Sequence, residues 1–402
     1  MSKGALGLLS AYWPERTARH AHIPLERISQ FALHRQAATD PDRPALVTPE
    51  RTVTFAELSA AVGTAAGQIG GRVEEGGRVA ILAEDPVDLA ALALGCFESD
   101  RLAFLSAGPV EGRLLDAFSP DLVVGAGGVA PGELLEGPPA TPGKANLRLP
   151  ILALPRPWPG EVLHNHKTLV ATAISFGSFF LLEPGAEVVS FEPPTSWLGL
   201  ASLLGSWHKG ATVRAAWGPS WAGHPDRVDY LVASWETAEA RYLGSSPTLR
   251  DVHAGVGAII GISHPFPTGR RRRLARRLRT PVFTLFGRND LGPTIGSHPT
   301  WYLDDAAGIP MPNVELKPLH PRDGSELTIG WDAVEEGEMG VKSVMAPAGG
   351  VLSGTWLRAF ITALVDPTGL YFLRAEVGLP LPEAEEAVPD AEEPVPETEE
   401  GP

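Results

Sequence analysis

Cysteine is almost absent from this sequence, which contains only Cys96 in its 402 residues. A single cysteine excludes an internal disulfide and a zinc site built on cysteine ligands. Cys96 lies within the apolar stretch DLAALALGCFES, so we expect a small buried thiol on a helix. Stability must then come from a hydrophobic core, for which 44% hydrophobic residues suffice.

Long hydrophobic runs are lacking as well. The longest, TLVATAISFGSFFLL at 168–182, is too short to cross a bilayer and contains Thr, Ser and Gly. The N-terminus has no sustained apolar core of the kind that a signal peptide requires. We therefore expect a cytoplasmic protein without a membrane span.

Charge is unevenly distributed along the chain. The net charge is −15, but residues 379–402 hold nine acidic residues and no basic one, which leaves the remainder at −6. We interpret this stretch as a disordered acidic tail that aids solubility, with binding of a basic partner as the alternative. The segment GRRRRLARRLRT at 269–280 has Leu274 and Leu278 four residues apart. That spacing favours a helix with one buried stripe and solvated arginines over a nucleic-acid site.

Apolar strands alternate with helical stretches through most of the chain, which predicts a parallel sheet covered by helices. Thr54 precedes Glu57 by three residues, which is the pattern of a capping box at a helix start. Residues 126–150 form a predicted Gly/Pro-rich loop. From about residue 310 the pattern changes to short β segments such as NVELKPL and GEMGVKSV.

Several motifs, taken in order, resemble the adenylate-forming superfamily, which includes acyl-CoA synthetases, adenylation domains and luciferase-like ligases. They are LHRQAATDPDRPALVTPERTVTFAELSAAV, GRVAILAEDPVDLAALALGCFES, VLHNHKTLVA, PPTSWLG, PVFTLFGRNDLGPT, EEGEMGVKS and WLRAFITALVDPTGLYFL. The resemblance implies an α/β fold of two βαβ-type subdomains plus a small β-rich region. The expected division is an N-terminal segment at 1–27, a synthetase-like domain at 28–374 (28–150, 151–309 and 310–374) and the tail at 375–402.

Members of this family activate a carboxylate with ATP and usually pass the acyl group to a thiol such as that of CoA. A loop rich in Ser, Thr and Gly and ending in a lysine normally holds the phosphates. Here that position reads LPRPWPG, with Pro155, Pro157 and Pro159 offering no N–H group. Arg156 is the remaining candidate for phosphate charge, and we predict a degenerate loop.

The two histidines that follow, His164 and His166, suggest a metal site at first sight. A zinc site needs further ligands at suitable spacing, and none is evident in the neighbouring sequence. The surrounding letters VLHNHKTL match the family, so we interpret both histidines as parts of the scaffold.

The segment LFGRNDLGPT resembles the family's Tyr-Gly-x-Thr-Glu motif. Phe286 stands at the tyrosine that stacks on adenine, and Gly287 is kept. Asn289 stands at the threonine that contacts the adenylate phosphate. Asp290 stands at the glutamate that helps to hold magnesium, so it is a weak Mg²⁺ candidate. An ordinary polar turn at a strand end is the alternative interpretation of these residues.

The segment at 356–373 departs furthest from the family. Ala359, Phe360 and Ile361 occupy the Thr-Gly-Asp positions, where the aspartate normally holds the ribose hydroxyls. An isoleucine cannot accept a hydrogen bond, so a bound ribose would be left unpaired. We also expect the small C-terminal lid domain and its catalytic lysine to be absent, and we assign no catalytic residue.

Candidate acyl-pocket residues follow from the same resemblance: Trp197, Gly199, Gly261 and Ser263. The leading prediction is a degenerate synthetase-like protein that acts as a binding or partner subunit in acyl metabolism. The alternatives are an active ligase whose C-terminal domain comes from another chain, with ATP, Mg²⁺ and CoA as cofactors, and an acyl or acyl-CoA binding protein that uses no ATP. Expected partners are a small carboxylate, an acyl-CoA or another protein, and not nucleic acid.

Overall fold

Three β-sheets with helices packed on them make up the computed structural model. It describes residues 14, 17–140, 143–155, 161–217, 228–234, 237, 256–262, 275–276, 279–300, 307–320, 322–327, 335–347, 356–365 and 371–376. The acidic tail, Arg156 and Ser263 lie outside the described residues, as does most of the arginine-rich segment.

A five-stranded sheet has the strand order β5-β3-β4-β6-β7, and all its neighbours are parallel except the hairpin β6–β7. Strand β3 has buried residues on both faces, as expected for a parallel strand covered on both sides. The strands are β3 (Arg78–Leu82), β4 (Leu102–Ser106), β5 (Leu122–Gly125), β6 (Pro150–Pro155) and β7 (Glu161–Asn165).

A nine-stranded sheet has the order β14-β13-β12-β11-β10-β8-β9-β1-β2 and is parallel from β12 to β1. Its strands are β1 (Pro44–Val47), β2 (Thr52–Thr54), β8 (Glu187–Ser190), β9 (Thr212–Ala215), β10 (Val228–Ser234), β11 (Val256–Ile262), β12 (Val282–Arg288), β13 (Gly292–Gly296) and β14 (Ile309–Pro310). Strands β1 and β2 precede the five-stranded sheet in the chain but belong to the nine-stranded sheet. A division of the chain at residue 150 therefore does not separate the two sheets.

The third sheet, β15-β16-β17-β18, is antiparallel. It follows the predicted β-rich part of the chain and comprises β15 (Val314–Leu319), β16 (Glu335–Ser343), β17 (Leu357–Val365) and β18 (Tyr371–Glu376).

One hydrophobic cluster joins the helices to both large sheets and includes Leu46, Val79, Leu169 and Trp207. The helices are α1 (Arg35–Thr39, after a π-helical turn at Gln30–His34), α2 (Phe55–Gly70), α3 (Pro86–Glu98), α4 (Gly112–Phe118), α5 (Pro131–Leu135), α6 (His166–Phe179) and α7 (Trp197–His208). The short helix α5 corrects the prediction of an unbroken loop at 126–150. No helix among the described residues has the length and apolar character needed to cross a bilayer.

Local sequence signals explain where the helices begin. The predicted capping box is present at α2, where Thr54 and Glu57 exchange side-chain and backbone hydrogen bonds. Asp85 caps α3, and Ser196 caps α7 by accepting from the backbone N–H of Gly199. These caps fix the first turn of each helix and therefore the direction in which it crosses the sheets.

Candidate functional site

The carboxyl ends of β6 and β12, one from each large sheet, are joined by a hydrogen bond between Pro155 and Asn289, and we call the region around this bond the crevice. In open α/β folds, such a crevice is the usual place for ligands. Phe286 and Gly287 lie at the end of β12, and Asn289 and Asp290 form the turn that leads into β13. Phe286 is 3% exposed, so its ring packs among core side chains.

Asn289 is the central connection of this crevice. Its Oδ1 accepts a hydrogen bond from the backbone N–H of Trp197 at 2.9 Å, at the first residue of α7. Its Nδ2 donates to the backbone oxygen of Pro155 at 2.7 Å, at the end of β6. Its own backbone oxygen accepts from Nε2 of His164 at 2.9 Å. One asparagine therefore ties three separate elements together.

Asp290 forms a two-pronged ion pair with the guanidinium of Arg288. Nε donates to Oδ1 at 2.8 Å and the second nitrogen donates to Oδ2 at 2.6 Å. Both side chains are largely buried, at 14% and 16% exposure. The remaining guanidinium nitrogen donates to the backbone oxygen of Ala359 at 2.6 Å. A cation at Asp290 would therefore have to displace Arg288, and no group of three or more His, Cys, Asp or Glu suited to a metal occurs in the described part of the chain.

The two histidines are buried and bind different partners. His166 accepts from the backbone N–H of Ile28 through Nδ1 and donates from Nε2 to Asp100, each at 3.2 Å. Burial lowers the pKa of His164 to about 4, outweighing the opposing effects of its bond to Asn289 and of the charge on Asp290. Both imidazoles hold polar groups of the scaffold together.

Three of the four candidate acyl-pocket residues lie among the described residues. Trp197 is 9% exposed, and its ring lies so close to Gly287 that a Cβ there would come within 2.8 Å of it. Gly199 is required by backbone crowding, because a Cβ would stand 1.8 Å from the oxygen of Pro193. Gly261 is buried within β11. The tryptophan ring and the end of β12 are thus in direct contact.

 At the position where the family binds ribose, Ala359 is fully buried in β17. Its backbone oxygen accepts the hydrogen bond from Arg288, so this strand is fastened to the turn after β12. The side chains of Phe360 and Ile361 lie outside the described part of the structure, as do Arg156 and Ser263.

Comparison with solved structures gives the same architecture. ATP-bound MatB from Rhodopseudomonas palustris is 16% identical, with 87% of this chain and 79% of MatB covered and a TM-score of 0.76. The inhibitor-bound N-terminal domain of FACL13 from Mycobacterium tuberculosis is 16% identical, with 87% and 100% covered and a TM-score of 0.72. This chain has the fold of the N-terminal domain of adenylate-forming enzymes. No family model and no curated protein matches the sequence.

A third solved structure has the same fold. The O-succinylbenzoate CoA synthetase MenE from Bacillus subtilis is 20% identical, with 85% of this chain and 81% of MenE covered and a TM-score of 0.71. The resemblance drawn from the motifs is therefore confirmed for the fold. At this identity the likeness carries the backbone and not the chemistry.

Sequence reasoning missed two participants in this crevice, Arg288 and the backbone oxygen of Pro155. Arg288 occupies the variable position of the family motif, so the motif does not predict its pairing with Asp290 two residues later. The available signal was a basic and an acidic residue on either side of Asn289, at the end of a strand. The contact between Asn289 and Pro155 joins residues that are 134 positions apart, so no local sequence pattern indicates it.

Proposed function

We propose that this protein is a non-adenylating relative of acyl-CoA synthetases that acts as a binding or partner subunit in acyl metabolism. The observation that carries the proposal is the internal use of Asn289, whose amide links Trp197 to Pro155. A group that positions a phosphate must be free to hydrogen-bond it, and this amide is held between two backbone groups. We place the protein in the cytoplasm as part of the same proposal.

The ion pair at Asp290 supports the same conclusion. A carboxylate that holds Mg²⁺ offers oxygen atoms to the cation, whereas both oxygens here accept from Arg288. Moving Arg288 away would also break its bond to Ala359. ATP, Mg²⁺ and CoA would be the cofactors if the family activity were retained, and Asp290 would be the magnesium ligand.

Titration calorimetry of the full chain with ATP·Mg²⁺ tests this proposal directly. We expect no saturable heat, and no carboxylate-dependent release of pyrophosphate. Saturable ATP binding, or pyrophosphate release with any carboxylate, would contradict it and favour an active ligase that takes its C-terminal domain from another chain. The double variant Asn289→Thr/Asp290→Glu, which installs the family's residue types, is the matched comparison.

Binding of an acyl group without ATP is the second candidate, and Trp197 at the start of α7 is the candidate pocket residue to test. Titration with a short and a long acyl-CoA tests it. If the ligand lies against this ring, Trp197→Phe will weaken binding while Trp217→Phe, at a partly buried tryptophan of another segment, will not. Equal effects of the two substitutions would place any acyl ligand elsewhere.

A further inference from the structure

A serine, a histidine and a glutamate outside the crevice form a chain of short hydrogen bonds. Nδ1 of His34 lies 2.7 Å from Oγ of Ser59, and Nε2 of His34 lies 2.6 Å from Oε2 of Glu98. The three residues come from the π-helical turn before α1, the second turn of α2 and the last position of α3. A hydroxyl beside an imidazole that a carboxylate orients is the arrangement that activates a serine as a nucleophile.

The carboxylate of Glu98 determines which nitrogen of His34 carries the proton. An ionised carboxylate can only accept hydrogen bonds, so Nε2 of the neutral imidazole carries the hydrogen and donates it to Glu98. Nδ1 is then left with a lone pair, which accepts the hydrogen of the Ser59 hydroxyl. The same carboxylate would stabilise the imidazolium that forms when His34 takes up the serine proton. The unprotonated nitrogen of a general base therefore faces the hydroxyl.

Both reacting side chains reach the surface of the protein. Ser59 is partly exposed, and the side chain of His34 is 19% exposed. The side chain of Glu98 is only 2% exposed, so it is shielded from solvent. His34 also lines a pocket of about 240 Å³. A small molecule can therefore approach the hydroxyl and the imidazole from solvent while the orienting carboxylate stays protected.

The surroundings of Ser59 restrict the kind of substrate. A carbonyl under attack develops negative charge on its oxygen, and serine enzymes usually stabilise this charge with backbone N–H groups. In the first turn of α2, the N–H groups of Phe55 and Ala56 already donate to backbone oxygens, and that of Glu57 donates to Thr54. We therefore expect reaction only with acyl groups that carry a good leaving group.

We propose that Ser59 is a nucleophile for small activated acyl esters, with His34 as its general base and Glu98 as the residue that positions His34. Oγ of Ser59 forms a bond to the carbonyl carbon, the leaving group departs as its anion, and the serine proton passes to Nδ1 of His34. His34 then returns this proton to solvent. Water cleaves the acyl-serine ester, which releases the carboxylic acid and restores the hydroxyl. This inference concerns a second site and does not depend on the proposed function of the crevice.

Reaction of the full chain with p-nitrophenyl acetate tests the proposal, with an acid quench and mass spectrometry of the peptide that contains Ser59. We expect Ser59 to be acetylated at least about tenfold faster than Ser119, an exposed serine whose hydroxyl donates to the backbone oxygen of Asp116. Ser59→Ala should remove the acetyl group from this peptide. His34→Gln should slow its formation at least about tenfold, because general-base catalysis contributes roughly 10²–10⁴-fold in enzymes.

Glu98→Gln distinguishes positioning of His34 from a merely structural role. The substitution keeps the shape of the side chain and removes the charge that stabilises the imidazolium. The maximal rate of Ser59 acetylation should therefore fall about tenfold, while the ester concentration that gives half of this rate stays unchanged. Glu133→Gln, at an exposed carboxylate on another helix, should change neither quantity. An effect of Glu98→Gln on the half-saturating concentration alone would contradict the positioning role.

Three results would overturn the proposal: no acetyl ester on Ser59, equal rates at Ser59 and Ser119, or an unchanged rate in His34→Gln. Ser59→Ala is expected to fold, because it places the best helix former at a partly exposed helical position. If His34→Gln does not fold, the comparison of Ser59 with Ser119 in the unchanged protein decides the matter alone.

Discussion

Replacing Asn289 by alanine tests whether this side chain holds the crevice together. The substitution removes two neutral hydrogen bonds, to Trp197 and Pro155. Each such bond contributes about 0.5–1.5 kcal/mol net, so the free energy of unfolding should fall by about 1–3 kcal/mol. Most of this loss should come from the partly buried bond to Trp197, because the bond to Pro155 is exposed and water can replace it.

Urea denaturation of the full chain measures this change. Asn289→Asp is the informative second variant, since it keeps the acceptor for Trp197 and places a negative charge at the start of α7, where the helix dipole favours it. It should therefore cost less than alanine. Asn146→Ala is the control, because the side-chain amide of Asn146 donates to Glu75 at the exposed surface. A change within about 0.5 kcal/mol is expected. Equal destabilisation by Asn289→Ala and Asn146→Ala would refute the reasoning.

Three further predictions concern the same region. Gly199→Ala should abolish folding or destabilise the protein strongly, because its Cβ would stand 1.8 Å from a backbone oxygen. Gly132→Ala is the control: it lies in a helix with open space around it, and it should be neutral or stabilising by about 0.5–1 kcal/mol. Burial lowers the pKa of His164 to about 4 from an ordinary 6.5, so the unfolded chain binds its proton first as the pH falls. The stability contributed by the neutral imidazole is thus complete above about pH 6.5 and is lost towards pH 4, by up to about 3 kcal/mol. The variant His164→Gln should therefore show a weaker dependence of the urea midpoint on pH over that range. A double-mutant cycle of Arg288→Met and Asp290→Asn should give a coupling of about 1–3 kcal/mol, measured by urea denaturation.

Each of these predictions has a contrary outcome. Well-folded Gly199→Ala with a wild-type urea midpoint would show that the chain relaxes around the added carbon. An unchanged pH profile in His164→Gln would assign acid sensitivity to other groups. Additive effects of the Arg288 and Asp290 substitutions would show that their ion pair contributes nothing to stability.

The sequence predicted the local parts of the fold well. Strand β3, the helices α2, α3, α6 and α7, and the change to short strands beyond residue 310 are where the hydrophobic patterns indicated. The capping box at Thr54 and Glu57 needs only residues three apart, so it could be read directly. The candidate site was only partly predictable, because the motif assigns no role to the Arg288 position and so does not indicate its pairing with Asp290.

What the sequence determined by itself is what depends on neighbours along the chain: helix starts, strand periodicity and the order of the motifs. Tertiary structure alone decided which sheet each strand joins, so that β1 pairs with β9 and β6 with β4. It also decided that Asn289 bonds to Pro155 and that His34 bonds to Glu98. These contacts join residues far apart in the chain, and their partners include backbone groups that every residue carries. No local pattern of side chains can therefore encode them.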